Sequence, residues 1–420
     1  MMTGKERVKT ILSHREADTI ALDFGATPVT GIHVKMIAAF RRYYGLEEKP
    51  VKVSEPFQML GEVDGELAKI WNTDIIGVGG RTDMFGHKQE NFVERRMPWG
   101  QTVLLPQSFV MKEDNGNIYV FPQGDTNCPP TAVMPAGGFF FDAIERTPAT
   151  QLDAELNLDD NLEEFSLIND SALPYWKEAL TKARATGKAV IANIGGTGFG
   201  DIALVPGLHL KNPKGIRAIA DWYMSTVMRA DFIMELFEKQ SEIAIQNLET
   251  INRIAGDCID ILYVCGTDFG TQDSQFCSAD ALTGLYGKAY QKINNWIHQN
   301  TGWKTFKHSC GAIVPLIETF ITCGFDIINP VQINAADMEP SFLKKQFGDR
   351  ITFWGGGIDT QRTLQLGTPQ QVKQQVYQLC DIFGAGGGFV FNTVHNLQAN
   401  VPVENAFALM DAICEIRNKI

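Results

Sequence analysis

The chain has 420 residues, of which 44% are hydrophobic and 20% are charged, the composition of an ordinary globular protein. Its formal net charge of −12 argues against a nucleic-acid surface, because binding phosphates requires clustered lysine and arginine. No segment approaches the roughly 20 consecutive apolar residues of a membrane span, and residues 1–20 lack the apolar stretch of a secretion signal. The eight cysteines follow no paired spacing, so we expect reduced thiols in a cytoplasmic protein.

Short β-rich runs alternate with helical patterns along the whole chain, which predicts parallel strands joined by helical crossovers. The eight predicted strands are residues 19–24, 74–78, 189–194, 261–265, 304–308, 326–331, 351–355 and 388–394. Helices are predicted over 279–299 after Ser278, over 368–383, and over 402–418. No dinucleotide-binding glycine fingerprint follows the first strand, so the pattern predicts an α/β protein with a single (β/α)8 TIM barrel domain over residues 1–420.

One long insertion, about residues 87–153, separates the second and third predicted strands. Within it, runs at 109–112 and 118–121 flank Asp114-Asn115-Gly116, a strong signal for a β-hairpin. An insertion after the second strand would lie on the face where such barrels place their active sites. The sequence leaves open whether it forms a lid or a contact between subunits of a homo-oligomer.

Polar residues gather at the predicted carboxyl ends of the strands, where barrel enzymes build their active sites. In chain order they are Asp23, Asp268, His308, Cys310, Asn329, Gln332, Asp359, Gln361 and His395. A glycine-rich run at 195–200 predicts a loop that passes close to another part of the molecule. Convergence of so many polar groups on one rim favours an enzyme over the alternative, a barrel that binds a small ligand without turnover.

His308 and Cys310 form the most informative pair, because residues i and i+2 at the end of a strand can reach a common point. Imidazole and thiolate together suit zinc, with a further position left open for substrate. The alternative is a buried thiol beside a hydrogen-bonded histidine. His395 is the best candidate for a third ligand, although it could instead fix a loop, and Cys265 is a weaker candidate.

Asp268 could act as a general base, orient a metal-bound histidine or bind a donor group of the substrate, or it could cap a turn. Asp359 precedes Thr360 and Gln361 and could equally be a helix N-cap. We therefore expect catalytic roles for Asp268 and His395. Contacts with a small-molecule substrate are expected from the other polar residues of the rim: Asp23, Asn329, Gln332, Asp359 and Gln361.

Several segments together resemble the uroporphyrinogen decarboxylase superfamily. These segments are HSCG at 308–311, CGFDIINP at 323–330, WGGGID at 354–359, GTP at 367–369 and VPVEN at 401–405, with KERV at 5–8 and DFG at 23–25. The superfamily contains the haem-pathway decarboxylases and zinc-dependent methyltransferases that move methyl groups between corrinoid proteins and thiols. In the methyltransferases, H-x-C-G supplies two zinc ligands and a later cysteine supplies the third. The resemblance places His395 at the position of that cysteine.

The two branches of the superfamily imply different chemistry. The decarboxylases lack H-x-C-G and carry an arginine-rich R-Q-A-G-R-Y motif for substrate carboxylates, whereas this chain reads ALDFGA at 21–26. We therefore expect a methyltransferase that binds Zn²⁺ through His308, Cys310 and His395. No D-x-H-x-x-G signature is present, so any corrinoid would be carried by a separate partner protein. The alternative is a metal-free decarboxylase that uses Asp23 or Asp268 together with His395.

Overall fold

The computed structural model describes residues 1–148 and 155–418. Its central sheet has eight parallel strands, numbered here along the chain. They are β1 Ala21–Leu22, β2 Ile75–Gly79, β3 Ala189–Asn193, β4 Ile261–Cys265, β5 Lys304–His308, β6 Ile327–Asn329, β7 Thr352–Trp354 and β8 Phe389–Phe391. Neighbouring strands pair in parallel from β2 through β8, and β8 pairs with β1. The predicted TIM barrel is therefore confirmed.

A side chain closes the barrel between β1 and β2. The backbone N–H of Asp74 donates to the carbonyl of Leu22 at 2.9 Å, and the N–H of Leu22 donates to Oδ2 of Asp74 at 2.9 Å. Arg417 binds the same carboxylate at 2.7 Å, and Arg7 binds its other oxygen. Because Asp74 supplies these bonds, β1 needs only two residues of strand ladder, fewer than the predicted 19–24.

The barrel interior is filled by alternate residues of the strands, as period-two geometry requires. The inward apolar positions are Ala21, Ile75, Ile191, Ile261, Phe306, Ile327, Trp354 and Val390, all buried together. On β5, His308 follows Phe306 by two residues and shares its inward face. Lys307, between them, therefore points outward into the layer of helices.

The helices cover the outside of the barrel. Their bounds are Gly4–Ile11, Val34–Tyr43, Gly65–Trp71, Leu173–Arg184, Ile219–Met228, Ala230–Ala255, Ala279–Leu282, Lys288–Asn300, Val314–Thr322, Pro340–Phe347, Thr363–Leu366, Pro369–Gly384 and Val403–Arg417. The predicted helix 279–299 contains a π turn at Thr283–Gly287, and Ser278 caps its start. The predicted helix 368–383 begins with a capping box between Thr368 and Gln371.

Two additional sheets, one antiparallel and one mixed, accompany the barrel. A four-stranded sheet contains the predicted hairpin, with strands Met111–Asp114 and Asn117–Val120, and Asn115 and Gly116 have the positive φ values of a tight turn. A five-stranded, mixed sheet combines strands that precede β2 with strands that follow it. The additional structure is therefore not confined to the segment after β2. The predicted end of the insertion, near residue 153, lies outside the described residues.

Two further observations bear on the environment of the protein. All eight cysteines lie in the described residues and all are free thiols. In the described part of the chain, no helix has the length and apolar character needed to cross a membrane.

Candidate metal centre

His308, Cys310 and His395 meet at the carboxyl-terminal rim of the barrel. One potential ligand atom from each residue lies within 4.8 Å of the others, the one such group found among the described residues. Nε2 of His308 is 3.5 Å from Sγ of Cys310, and the two imidazole rings are 5.1 Å apart and nearly perpendicular. The end of β5 and its following loop supply the first two residues, and the loop after β8 supplies the third.

His308 is oriented by Asn329 at the end of β6. Nδ2 of Asn329 donates to the carbonyl of Trp354 at 2.8 Å, so its Oδ1 faces Nδ1 of His308 at 2.5 Å. Nδ1 therefore carries the ring proton, and Nε2 presents a lone pair toward Cys310. Burial lowers the pKa of His308 to about 4, which keeps the imidazole neutral at neutral pH.

Asn329 was predicted to contact substrate, and in the structure its contacts are with the protein. Its side chain is fully buried, and both of its amide atoms are occupied by Trp354 and His308. Asn329 positions a ligand candidate instead. Asn329 is the last residue of its strand and its side chain faces inward, so its amide lies one layer below the rim. The sequence position alone did not reveal this direction.

His395 is held in a different state. It has a φ of 63°, and its Nδ1 accepts a hydrogen bond from the backbone N–H of Asn396 at 2.9 Å. Burial, with a contribution from nearby His308, lowers the pKa of His395 to about 3. The neutral ring therefore carries its proton on Nε2. To bind a metal, His395 must give up the hydrogen bond that its ring accepts from the N–H of Asn396. His308 needs no such change.

Asp268 lies against the other two candidate ligands. Its Oδ1 accepts the backbone N–H of Cys310 at 2.7 Å and lies 3.6 Å from Nε2 of His308. Burial, followed by the charge of Asp268, raises the pKa of the Cys310 thiol well above its usual range. A divalent cation at this point would reverse that effect, because a metal favours the thiolate.

Asp23 is fully buried below the rim. Its Oδ2 accepts the indole N–H of Trp354 at 2.9 Å, and its Oδ1 accepts the N–H of Ala26 at 3.2 Å. Burial raises its pKa to about 6. Both oxygens of Asp23 therefore accept protein donors and the side chain has no exposed surface, so its predicted contact with substrate would require these groups to move.

The remaining predicted contacts lie in the loops of the rim. Gln332 binds the N–H of Gly311 through Oε1 at 2.8 Å and donates to Gln272 at 2.9 Å. Oδ1 of Asp359 accepts the N–H groups of Gln361 and Arg362, at 2.9 and 3.0 Å. Asp359 therefore caps a turn ahead of the helix Thr363–Leu366, whose N-cap is Arg362 rather than Asp359. Gln361 is exposed and approaches Gln272 at 3.5 Å.

Sequence reasoning missed two polar groups beside this centre, Asp201 and Tyr263. A Cβ atom on Gly266 would lie 2.4 Å from Oδ2 of Asp201 and 2.6 Å from the Tyr263 hydroxyl, so both groups converge on the space that this glycine leaves. Burial raises the pKa of Asp201 to about 6. Tyr263 faces the barrel interior, stacked on Phe306 with centroids 5.4 Å apart.

A sequence signal for Asp201 existed in the glycine-rich run at 195–200. That run predicted a close approach by the loop after β3, and Asp201 is its next residue. Tyr263 could have been found from alternation along β4, because it lies two residues from Ile261 on the inward face. Among the described residues, no lysine or arginine forms an ion pair with Asp23, Asp201 or Asp268.

Comparison with known proteins places this site in a family. A sequence model described as uroporphyrinogen decarboxylase (URO-D) matches residues 159–416. The chain belongs to the uroporphyrinogen decarboxylase family. The match includes β3 through β8 and all three candidate ligands, while β1, β2 and the two additional sheets precede it.

Individual relatives are more distant. Uroporphyrinogen decarboxylase of Pseudoalteromonas translucida is 31% identical over 104 residues, covering 24% of this chain and 27% of that protein. The enzyme of Psychromonas ingrahamii is 33% identical over 73 residues, covering 17% and 20%. The chain thus matches about a quarter of the length of these curated relatives. A solved methyltransferase from Methanosarcina mazei shares the fold, with a TM-score of 0.53, 12% identity and 99% coverage of both chains.

Proposed function

We propose that this family member is a zinc-dependent methyltransferase that moves a methyl group between a small thiol or ether and a corrinoid carried by a separate protein. The observation that carries the proposal is the convergence of two neutral imidazoles and one thiol within 4.8 Å. Nitrogen and sulfur donors in this combination suit zinc, and three protein ligands leave a position for substrate. The family resemblance at H-x-C-G points to the same chemistry.

His308, Cys310 and His395 would hold the metal. Zinc, when bound, would supply Lewis acidity that keeps a substrate thiol ionised at neutral pH or polarises an ether oxygen. Asn329 fixes the tautomer of His308. Asp268 keeps one oxygen on the Cys310 N–H and has a partly exposed side chain, so we assign its other oxygen as the acceptor of the substrate thiol proton.

The partner and the compartment follow from the same proposal. The chain lacks a D-x-H-x-x-G corrinoid signature, so the corrinoid would arrive on another protein and dock at the carboxyl-terminal rim. Free thiols throughout the chain suit a cytoplasmic setting. The fold of the Methanosarcina mazei methyltransferase shows that this architecture can host an enzyme so named.

Porphyrinogen decarboxylation is the second candidate, because the curated relatives carry that name. Asp23, with a pKa near 6, would be its buried acid together with His395. The charge of the site argues against it. Asp23, Asp201 and Asp268 have no lysine or arginine partner among the described residues, whereas a substrate rich in carboxylates requires cationic groups.

Metal content decides between the two candidates. We would measure zinc by mass spectrometry in protein purified without chelator, for the wild type and for His308→Ala, Cys310→Ala and His395→Ala, with Cys258→Ala, which precedes β4 at the opposite end of the barrel, as a control. We expect near-stoichiometric zinc in the wild type and control and its loss in the three ligand variants. The next assay would then be methyl transfer to or from a corrinoid protein, which we expect a chelator to inhibit.

Two results would change the proposal. Wild-type protein that binds no zinc even after reloading would overturn the metal mechanism and direct attention to chelator-insensitive decarboxylation. Zinc retained by His395→Ala alone would remove that residue from the ligand set and assign it to substrate binding.

A further inference from the structure

Lys307 is a buried cation directly behind the candidate metal centre. Its side chain has no exposed surface and points from β5 into the helix layer. Its ammonium lies over the rings of Phe269, Phe320 and Tyr290, at 5.0, 5.6 and 5.8 Å from their centroids. Within the described residues, no aspartate or glutamate forms an ion pair with it. A lysine buried without a carboxylate requires other compensation.

That compensation comes from three acceptors. The ammonium donates to the carbonyl of Thr267 at 2.5 Å and to the carbonyl of His308 at 2.6 Å. Sγ of Cys265 lies 3.7 Å away as the third acceptor. A lysine has three N–H donors, so each has a partner. Favourable contact of the cation with aromatic faces adds to these bonds.

The two carbonyls belong to different strand ends. Thr267 directly precedes Asp268 in the loop after β4, and His308 is the last residue of β5. Two more bonds join the same loops close by: Cys310 N–H to Asp268, at 2.7 Å, and Phe269 N–H to Oγ of Ser309, at 2.9 Å. Lys307 is the central and most buried of these links.

We propose that Lys307 is a positioning residue whose ammonium fixes the loop after β4 against the end of β5, and so sets the placement of Asp268 relative to His308 and Cys310. The benefit to metal binding rests on the function proposed above, whereas the link between the two loops does not. Without the ammonium, the buried carbonyls of Thr267 and His308 lose this donor, which weakens the link between the loop that carries Asp268 and the strand end that carries His308. Groups that orient metal ligands typically change metal affinity by about 10- to 100-fold when removed.

The test compares Lys307→Met, which keeps the length and removes the donors, with Lys307→Arg, which keeps the charge and N–H donors. Lys304→Met is the matched control, because Lys304 lies on the same strand but is partly exposed and pairs with Asp326. Zinc affinity would be measured by competition with a chromophoric chelator. The absorption spectrum of the cobalt(II)-loaded protein would report the ligand geometry. Hydrogen exchange of the Phe269 and Cys310 amides would report the two loops without any metal.

We expect Lys307→Met to bind zinc about 10- to 100-fold more weakly, to change the cobalt spectrum and to exchange both amides faster. Lys307→Arg should recover part of each effect, and Lys304→Met should match the wild type. If Lys307→Met does not fold, Lys307→Gln, which retains an N–H donor, is measured instead. A folded variant with wild-type affinity, spectrum and amide exchange would overturn the proposal. If the wild type binds no zinc, the metal function fails, and amide exchange alone decides whether Lys307 holds the loops.

Discussion

The two ends of the barrel treat buried charge in opposite ways. At the amino-terminal end, Asp74 is buried and binds both Arg7 and Arg417, and Lys5 binds Asp260 at 3.0 Å. These buried arginines and Lys5 therefore all have a carboxylate partner. The arrangement around Asp74 closes the barrel between β1 and β2.

At the carboxyl-terminal rim, the aspartates Asp23, Asp201 and Asp268 form no ion pair with lysine or arginine among the described residues. Asp23 and Asp201 have pKa values raised by burial to about 6, and the pKa values of His308 and His395 are lowered to about 4 and 3. Ionisable groups with perturbed pKa values cluster at functional sites. The comparison teaches that pairing, rather than residue type, separates the structural end of this barrel from its chemical end.

The largest effect on stability is expected from removing the ion pairs of Asp74 at the amino-terminal end. Asp74→Asn would leave the buried guanidinium of Arg417 without its anion and leave Arg7 with Asp18 alone, which should lower the free energy of unfolding by about 3–5 kcal/mol. Denaturant unfolding of metal-free protein would measure it. Glu48→Gln, which removes an exposed pair with Arg42, is the control and should cost less than about 1 kcal/mol. A loss for Asp74→Asn no larger than this control would show that the paired end does not close the barrel.

At the chemical end, Asn329→Ala should act on metal affinity more than on folding. Without the amide, His308 loses the acceptor that fixes its proton on Nδ1. Competition titration should show zinc binding about 10- to 100-fold weaker than in the wild type. Asn294→Ala, which removes another buried amide that donates to the carbonyl of Cys323 ahead of β6, at the opposite end of the barrel, is the matched control and should leave zinc affinity unchanged. Equal affinities for Asn329→Ala and the wild type would mean that His308 needs no orienting partner.

The sequence predicted which residues lie on the rim better than it predicted which groups their side chains contact. The bounds of β4 and β5 agree with the predicted 261–265 and 304–308. Barrel connectivity then places whatever follows any strand on one rim, so His308, Cys310 and His395 could be grouped without coordinates.

What could not be predicted depends on side-chain direction and on loop paths. Asn329 ends β6 and Asp359 lies in the loop after β7, yet the side chain of Asn329 turns inward to His308 whereas that of Asp359 caps its own loop. Asp201 lies eight residues beyond the end of β3, where only tertiary packing decides that the loop returns to the barrel. The contact of His395 with Asn396 likewise follows from a left-handed backbone that no periodicity indicates.

The smallest expected effect is that of Asp201, whose titration tests most specifically whether the two ends of the barrel differ. In the unfolded chain it titrates near its ordinary pKa of 3.8, and in the folded protein near 6. The folded state holds the proton more tightly, so its stability falls as pH rises from about 4 to 6 and stays lower above that range.

Asp201→Asn keeps an acceptor for the Ala203 N–H and removes the charge. Above pH 6 the variant should therefore be more stable than the wild type by about 1–2 kcal/mol, after allowance for partial exposure, with the advantage shrinking as pH falls to 4. Denaturant unfolding of metal-free protein across this range measures the difference. A difference independent of pH would mean that Asp201 already has a partner, and that the rim is as fully compensated as the opposite end of the barrel.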